Sequence, residues 1–172
     1  MTTQRAEESR YDPWLVLRTR SHHENVVERS LQQKEIKVYL PRRRVIGRSK
    51  DRMTIFEIPL FPGYMFVQPR PDQFEKVRCV RGSCGFVVKG GMPAPMPQKE
   101  LEAVRILAGS GAELAVNSKL IPGQRVEVIA GPLTGVQGEL IRVKSQDRLV
   151  INAYLVSSSV SVEVDSGEIA IL

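Results

Sequence analysis

Apolar positions along this chain come first in short bursts and later in strict alternation, and the change of period divides it. WLVL, Trp14 to Leu17, is a fully apolar run of the kind that forms a central strand. Ser21-His22-His23-Glu24 follows with capping-box spacing, in which Ser21 caps a helix and Glu24 reaches back to its amide. Val27 and Leu31 give that helix, expected over about 22–34, one buried stripe. KVYLPRRRVI and MTIFEIPLF then flank a polar tip, Gly47 to Arg52, which predicts a hairpin. FPGYMFV, Phe61 to Val67, supplies the next strand, PDQFEKVR a short helix, and GFVVKGG a brief apolar segment closed by glycines. MPAPMP cannot be regular structure. From Pro97, QKELEAVRILA sets Leu101, Val104 and Leu107 or Ala108 on one helical face. One antiparallel sheet flanked by helices, an α+β domain, accounts for this order.

Helical patterning stops at GSGAELAVNSK, so residues 109–120 read as a flexible linker. Beyond it the period is two. Val126 and Val128 alternate with Arg125 and Glu127, and Gly131-Pro132 turns the chain. Gly135 and Gly138 bracket a second turn before GELIRVK, RLVINAYLV, VSVEVD and GEIAI. Five short strands in so few residues predict a small closed barrel, which hides its sheet edges. The Val/Ile alternation and the glycines oppose a helical hairpin here, so the strands are expected to be permanent.

Charge sharpens the division. The 172 residues carry a net charge of +6. Up to Ser110 there are 20 Lys/Arg against 12 Asp/Glu, a balance of +8; from Gly111 onward there are 5 against 7, a balance of −2. Lys37 to Arg52 alone holds seven basic residues and one acid. Such a cluster is either a solvated surface or a phosphate-contacting one, and counterion release favours the second.

Chemistry narrows little further. His22 and His23 sit where a helix start is solvated. Cys79 and Cys84, spaced C-x4-C, lack the further ligands a metal site needs and read as reduced, packed thiols. No nucleophile elbow, phosphate-cradling loop or metal-spaced His/Cys cluster is present, so no enzyme, metal or cofactor is expected. The opening residues 1–10 have no apolar core of a secretory signal and read as a disordered tail. No run approaches a membrane span, which points to a cytoplasmic protein.

Three stretches together resemble the NusG family of transcription elongation factors, an N-terminal NusG domain followed by a KOW domain. They are the WLVL strand with its helix, FPGYMFV, and PGQRVEVIAGPLTGVQGELIRV, Pro122 to Val143. The resemblance implies residues 11–108 as the RNA polymerase-binding domain and 121–172 as an SH3-like KOW barrel. It also implies a monomer that suppresses pausing by bridging the polymerase clamp. Pro62 and Gly63 would set a turn, as would Gly131 and Gly135 in the KOW motif. Tyr64 and Phe66 would face the clamp-helix coiled coil of the largest polymerase subunit, with Phe86 and Val104 completing the patch; Met65 and Val67, on the other strand face, would be core. Arg20 and Arg81 match positions that contact non-template DNA in the family. Arg18, Arg42, Arg43, Arg44, Arg48, Lys50 and Arg52 join them on charge and hairpin placement, as contacts to upstream or non-template DNA.

Two departures bear on the kind of member, one being the PLFPGYMFV context with a compact basic hairpin, which resembles the specialised paralogues. General NusG proteins carry a Phe-Gly-Arg-x-Thr-Pro pattern in a KOW loop that recruits Rho or a ribosomal protein. Here the stretch is VSSSVS, with Val156, Ser157 and Ser158 as the partner loop. A specialised RfaH- or UpxY-like paralogue fits this better than a housekeeping NusG. The competing reading is a KOW-containing RNA- or ribosome-binding protein that never touches polymerase.

Overall fold

The computed structural model describes residues 12–172, so the tail expected over residues 1–10 lies outside the described residues. Two compact units appear. One comprises residues 12–40 and 62–97, and the other comprises Pro41–Phe61 and Gln98–Leu172.

The first unit is a four-stranded antiparallel sheet in the order β2-β5-β1-β6, where β1 is Leu15–Thr19, β2 Lys37–Tyr39, β5 Tyr64–Gln68 and β6 Ser83–Phe86. Helix α1, Glu24–Gln33, buries Val27 and Leu31 as its i, i+4 pattern requires. A short helix α2, Phe74–Arg78, buries Val77. These side chains form one cluster with Leu15, Leu17, Met65, Val67 and Phe86, so one sheet face and two helices enclose the core. Gly90 and Gly91 close a small hairpin of β7, Val88–Lys89, in the apolar segment GFVVKGG, and β8, Met92–Pro93, in the stretch expected to be irregular.

KVYL is not part of the basic hairpin. Pro41 follows the buried Leu40, and β2 pairs instead with β5 through Val38↔Val67 and Tyr39↔Phe66. The hairpin is β3, Arg42–Ser49, paired with β4, Arg52–Pro59, in unbroken register. Gly47 and Arg48, expected at the tip, are strand residues, and the tip shrinks to Lys50-Asp51.

In the second unit, six antiparallel strands run in the order β14-β10-β11-β12-β13-β9. They are β9 Leu114–Asn117, β10 Gln124–Val128, β11 Gln137–Val143, β12 Gln146–Ala153, β13 Ser158–Glu163 and β14 Ile169–Ile171. Val126 and Val128 are buried on β10 as the alternation requires. β9 falls inside the stretch read as linker and pairs with β13 through Val160↔Val116. Its Ala-Val-Asn pattern is too short to announce a strand; β13 supplies the template. Helix α3, Gln98–Gly109, buries Leu101, Ala103, Val104 and Leu107 and lies against β12.

β11 and β12 are joined by the two-residue turn Lys144-Ser145, both with positive φ (49° and 71°). That geometry favours Asn-Gly and is strained for Lys and Ser. Replacing Lys144-Ser145 by Asn-Gly is therefore expected to raise stability by about 1 kcal/mol, seen as a higher denaturant midpoint at constant m-value.

Glu100 on α3 has a carboxyl oxygen, Oε2, that is buried without a hydrogen-bond partner. Burial pushes its pKa above the ordinary 4.5, and a backbone hydrogen bond from Tyr154 offsets part of the rise. A raised folded-state pKa means that the charged form opposes folding. The contribution to stability is full below pH 4.5 and lost as pH rises through the folded pKa. Glu100→Gln is expected to melt higher than wild type at neutral pH, with the gain disappearing in melts below pH 4.5.

Candidate functional site

Strand alternation sorts the aromatic residues of the first unit onto opposite faces. On β1 and β5 the pairs Leu15↔Val67 and Leu17↔Met65 lie on the helix-covered face, and Val16↔Phe66 and Arg18↔Tyr64 on the other. Leu17 is also opposite Phe86 on β6. Phe86 therefore points into the core, where its ring meets Phe74 at 5.3 Å between centroids. The single patch expected for Tyr64, Phe66 and Phe86 is divided: Tyr64 and Phe66 share a face, and Phe86 does not join them. Val104 belongs to the other unit, fully buried on α3.

Met65 and Val67 are core residues, as their face requires. Phe66 was expected to be presented outward but is 0% exposed. Its cross-strand partner Tyr39 is directly opposite on β2, and the two rings stack at 6.2 Å, 23° from parallel. Tyr64 is half-buried at the start of the strand. The face thus carries a rigid aromatic pair, Tyr39 and Phe66, with Tyr64 and the exposed Arg18 beside Val16.

The Pro62-Gly63 turn that feeds this strand is held on both sides. Gly63 has φ +83°, a left-handed conformation that a residue with a Cβ adopts only with strain. Its carbonyl accepts from the Thr19 amide at 2.8 Å, and its amide donates to Glu24 Oε1 at 2.9 Å. Glu24 is buried. The capping box does not form: His23 is the N-cap, without a side-chain cap bond, and the Glu24 carboxylate serves the turn instead. His23 Nδ1 lies 2.9 Å from the Ser21 carbonyl. Glu24 and Tyr39 are the site residues that sequence reasoning missed. Both act through partners far along the chain, which no local spacing reveals. In the second unit Gly131 and Gly135 also have positive φ, +82° and +87°.

The basic residues fall into two sets. Arg18, Arg20 and Arg81 are exposed in the first unit, and the Arg20 amide donates to the Gly82 carbonyl at 2.8 Å, so the loops bearing Arg20 and Arg81 adjoin. Arg42, Arg43, Arg44, Arg48, Lys50 and Arg52 are on the β3–β4 ribbon. Arg44 pairs loosely with Glu57 at 3.7 Å, and half-buried Arg43 reaches the Leu114 carbonyl at 3.5 Å. Arg48, Lys50 and Arg52 project at the tip end, all exposed.

In the second unit Val156 is buried in a single 3-10 turn, Tyr154–Val156. Ser157 follows at φ +49°, and Ser158 Oγ donates back to the Val156 carbonyl at 3.1 Å. Cys79 and Cys84 are free and exposed, not packed as expected: Cys79 is the C-cap of α2, and Cys84 lies in β6 where its register with β1 shifts. Among the described residues no three His, Cys, Asp or Glu side chains gather as metal ligands. Nor is any helix there long and apolar enough to cross a membrane.

A family model described as transcription termination factor NusG matches residues 12–105, more than half of the chain. The chain belongs to the NusG family. Its NusG match begins before β1 and runs into α3, so it includes the four-stranded sheet, the FPGYMFV turn and the basic ribbon. Similar relatives include the transcription termination/antitermination protein NusG of Lactococcus lactis, 25% identical over 91% of each chain. The NusG of Thermus thermophilus is also 25% identical, over 81% of this chain and 82% of that one. A solved Thermotoga maritima NusG shares the fold, with a TM-score of 0.56 and 23% identity over 95% of this chain and 99% of that one.

Because Glu24 holds the turn, Glu24→Ala leaves the Gly63 amide without its acceptor. The loss is expected to lower stability by about 1–3 kcal/mol, read by thermal melting, whereas Glu24→Gln keeps an acceptor oxygen and falls between the two.

Proposed function

We propose that this NusG-family chain is a transcription elongation and antitermination factor that grips RNA polymerase through the aromatic face of its first sheet. The observation that carries the reading is the segregation of Tyr39, Tyr64 and Phe66 away from the helix-packed core face. One face of the sheet packs on the helices; on the second, Val16 and Phe66 are themselves buried, and Tyr39 and Tyr64, half-buried, with the exposed Arg18 are what that face offers a partner. That face, carrying stacked aromatics beside Arg18, has the composition of an interface anchor. Tyr39 and Tyr64 are both half-buried, and Phe66, stacked against Tyr39, is buried.

In this reading the partner is the clamp-helix coiled coil of the largest polymerase subunit. Arg18, Arg20 and Arg81, with the arginines of the ribbon, contact the phosphates of upstream or non-template DNA without reading sequence. The action is mechanical: the bound factor holds the clamp closed, so pauses shorten. The six-stranded sheet, read as a KOW domain, recruits a further partner. Burial of Val156, with Ser157 and Ser158 in place of a Gly-Arg pair, supports a specialised paralogue over a housekeeping NusG, and leaves Rho or a ribosomal protein a poorer fit at that loop.

Capture of core RNA polymerase by the full chain tests the reading. Tyr64→Ala removes a half-buried ring of this face and is expected to weaken binding about tenfold or more, as interface aromatics do. Phe66→Leu keeps a buried apolar side chain, though a smaller one, and is expected to fold with a smaller loss of binding. Wild type that elutes with ribosomes and leaves polymerase unbound would replace this reading with that of an RNA- or ribosome-binding protein.

A further inference from the structure

The two faces of the β3–β4 ribbon are unlike. Alternation places Arg43, Val45, Gly47, Ile58 and Phe56 on one face; four of these five are half-buried, and a Cβ on Gly47 would run into the Phe56 ring. The opposite face carries Arg44, Ile46, Arg48, Met53, Ile55 and Glu57, and each of these is exposed. At its centre Ile46 pairs directly with Ile55, and Met53 is the next residue on that face, opposite Arg48. The three are 63%, 66% and 71% exposed, a contiguous apolar patch on the outside of the most basic element of the chain.

Phosphate binding alone needs the cations and not the patch. A protein-binding core, conversely, is depleted in charge, whereas this patch is bracketed by Arg44 and Arg48 with Lys50 at the tip. Across the ribbon six Lys/Arg face two acids. A polyanion with an apolar interior satisfies both features at once, and stacked base pairs are such a partner. The dimensions agree. Side chains recur on one strand face about every 6.7 Å, close to twice the ~3.4 Å rise between stacked bases. A two-stranded ribbon also fits a duplex groove.

We propose that the ribbon is a DNA wedge: Ile46, Met53 and Ile55 press between base steps of duplex DNA while Arg44, Arg48 and Lys50 hold the flanking phosphates. Side chains of this type unstack steps and bend the duplex. The inference rests on the DNA contact proposed above and gives it a mode, deformation of the duplex rather than attraction alone.

The test uses the full chain and a short duplex with 2-aminopurine at its centre and a fluorophore pair at its ends. Wild type is expected to raise 2-aminopurine fluorescence and shorten the end-to-end distance. Ile46→Thr/Met53→Gln/Ile55→Thr retains β-branched residues at the strand pair, so the ribbon survives. It is expected to lose both signals and about tenfold in affinity with an unchanged salt slope. Arg44→Gln/Arg48→Gln is expected to flatten the log–log salt slope by about 2. The wedge is overturned if wild type binds without unstacking, if it does not bind duplex, or if the apolar variant unstacks as well as wild type. An apolar variant that keeps its DNA signals and loses polymerase capture would assign the patch to a protein contact. Failure of wild type to capture polymerase, by contrast, removes the proposed function and leaves the duplex signals to be read on their own.

Discussion

Gly63 is where the first unit is tied together. Its carbonyl takes the Thr19 amide at the end of β1, and its amide gives to the Glu24 carboxylate at the start of α1. Two elements distant from β5 in sequence, β1 and α1, therefore fix the point at which β5 begins. Strand register follows from that point, and in a sheet register decides which side chains are core: a slip by one residue would exchange Met65 and Val67 for Tyr64 and Phe66. The buried carboxylate is tolerable because it accepts a hydrogen bond from the backbone at the spot where it is desolvated. A proline-glycine turn thus earns its place by geometry, and the aromatic face depends on it.

Much of this was legible in the residues. Apolar bursts located β1, β5 and α3, the switch to a period of two located the strands of the second unit, and the assignment of Met65 and Val67 to the core followed from alternation. What failed shares one cause. Ser21 and Glu24 have capping-box spacing, but a long-range acceptor role for Glu24 outcompetes a local one worth about 1 kcal/mol. The family resemblance groups Phe86 with Tyr64 and Phe66, but its pairing with Leu17 determines its face. Lys37–Tyr39 looked continuous with the basic hairpin until Pro41 and the Tyr39–Phe66 pairing separated them. In the same way β9 takes its strand character from β13, because Leu114–Asn117 carries too little pattern of its own.

The basic charge is organised by the same alternation. Arg43 and Arg44 are neighbours in sequence, yet Arg43 turns inward to the Leu114 carbonyl while Arg44 stands outside beside Glu57. A count of arginines over this stretch overstates the surface available to an anion, since one of the six cations is already engaged with backbone. What remains outside is concentrated toward the tip. The two-residue tip keeps the strands paired to their ends, so Arg48 and Arg52 are carried on a regular ribbon and only Lys50 sits in the turn.

Stability and accessibility pull against each other in this chain, and the β3–β4 ribbon, unlike β5, gives each its own face. On β5 one face is committed to the core and the other is rigidified by aromatic stacking. On the ribbon one face is half-buried and the other carries exposed isoleucines and a methionine. Exposed β-branched residues at directly paired positions stabilise a two-stranded ribbon by a few tenths to about 1 kcal/mol per pair, which accounts for Ile46 and Ile55 but not for Met53. Methionine has little to offer an exposed strand, and opposite Arg48 it gains no cross-strand apolar partner. Its exposure acquires a physical rationale only when something apolar covers it, and the surrounding charge restricts that cover to a partner rich in anions.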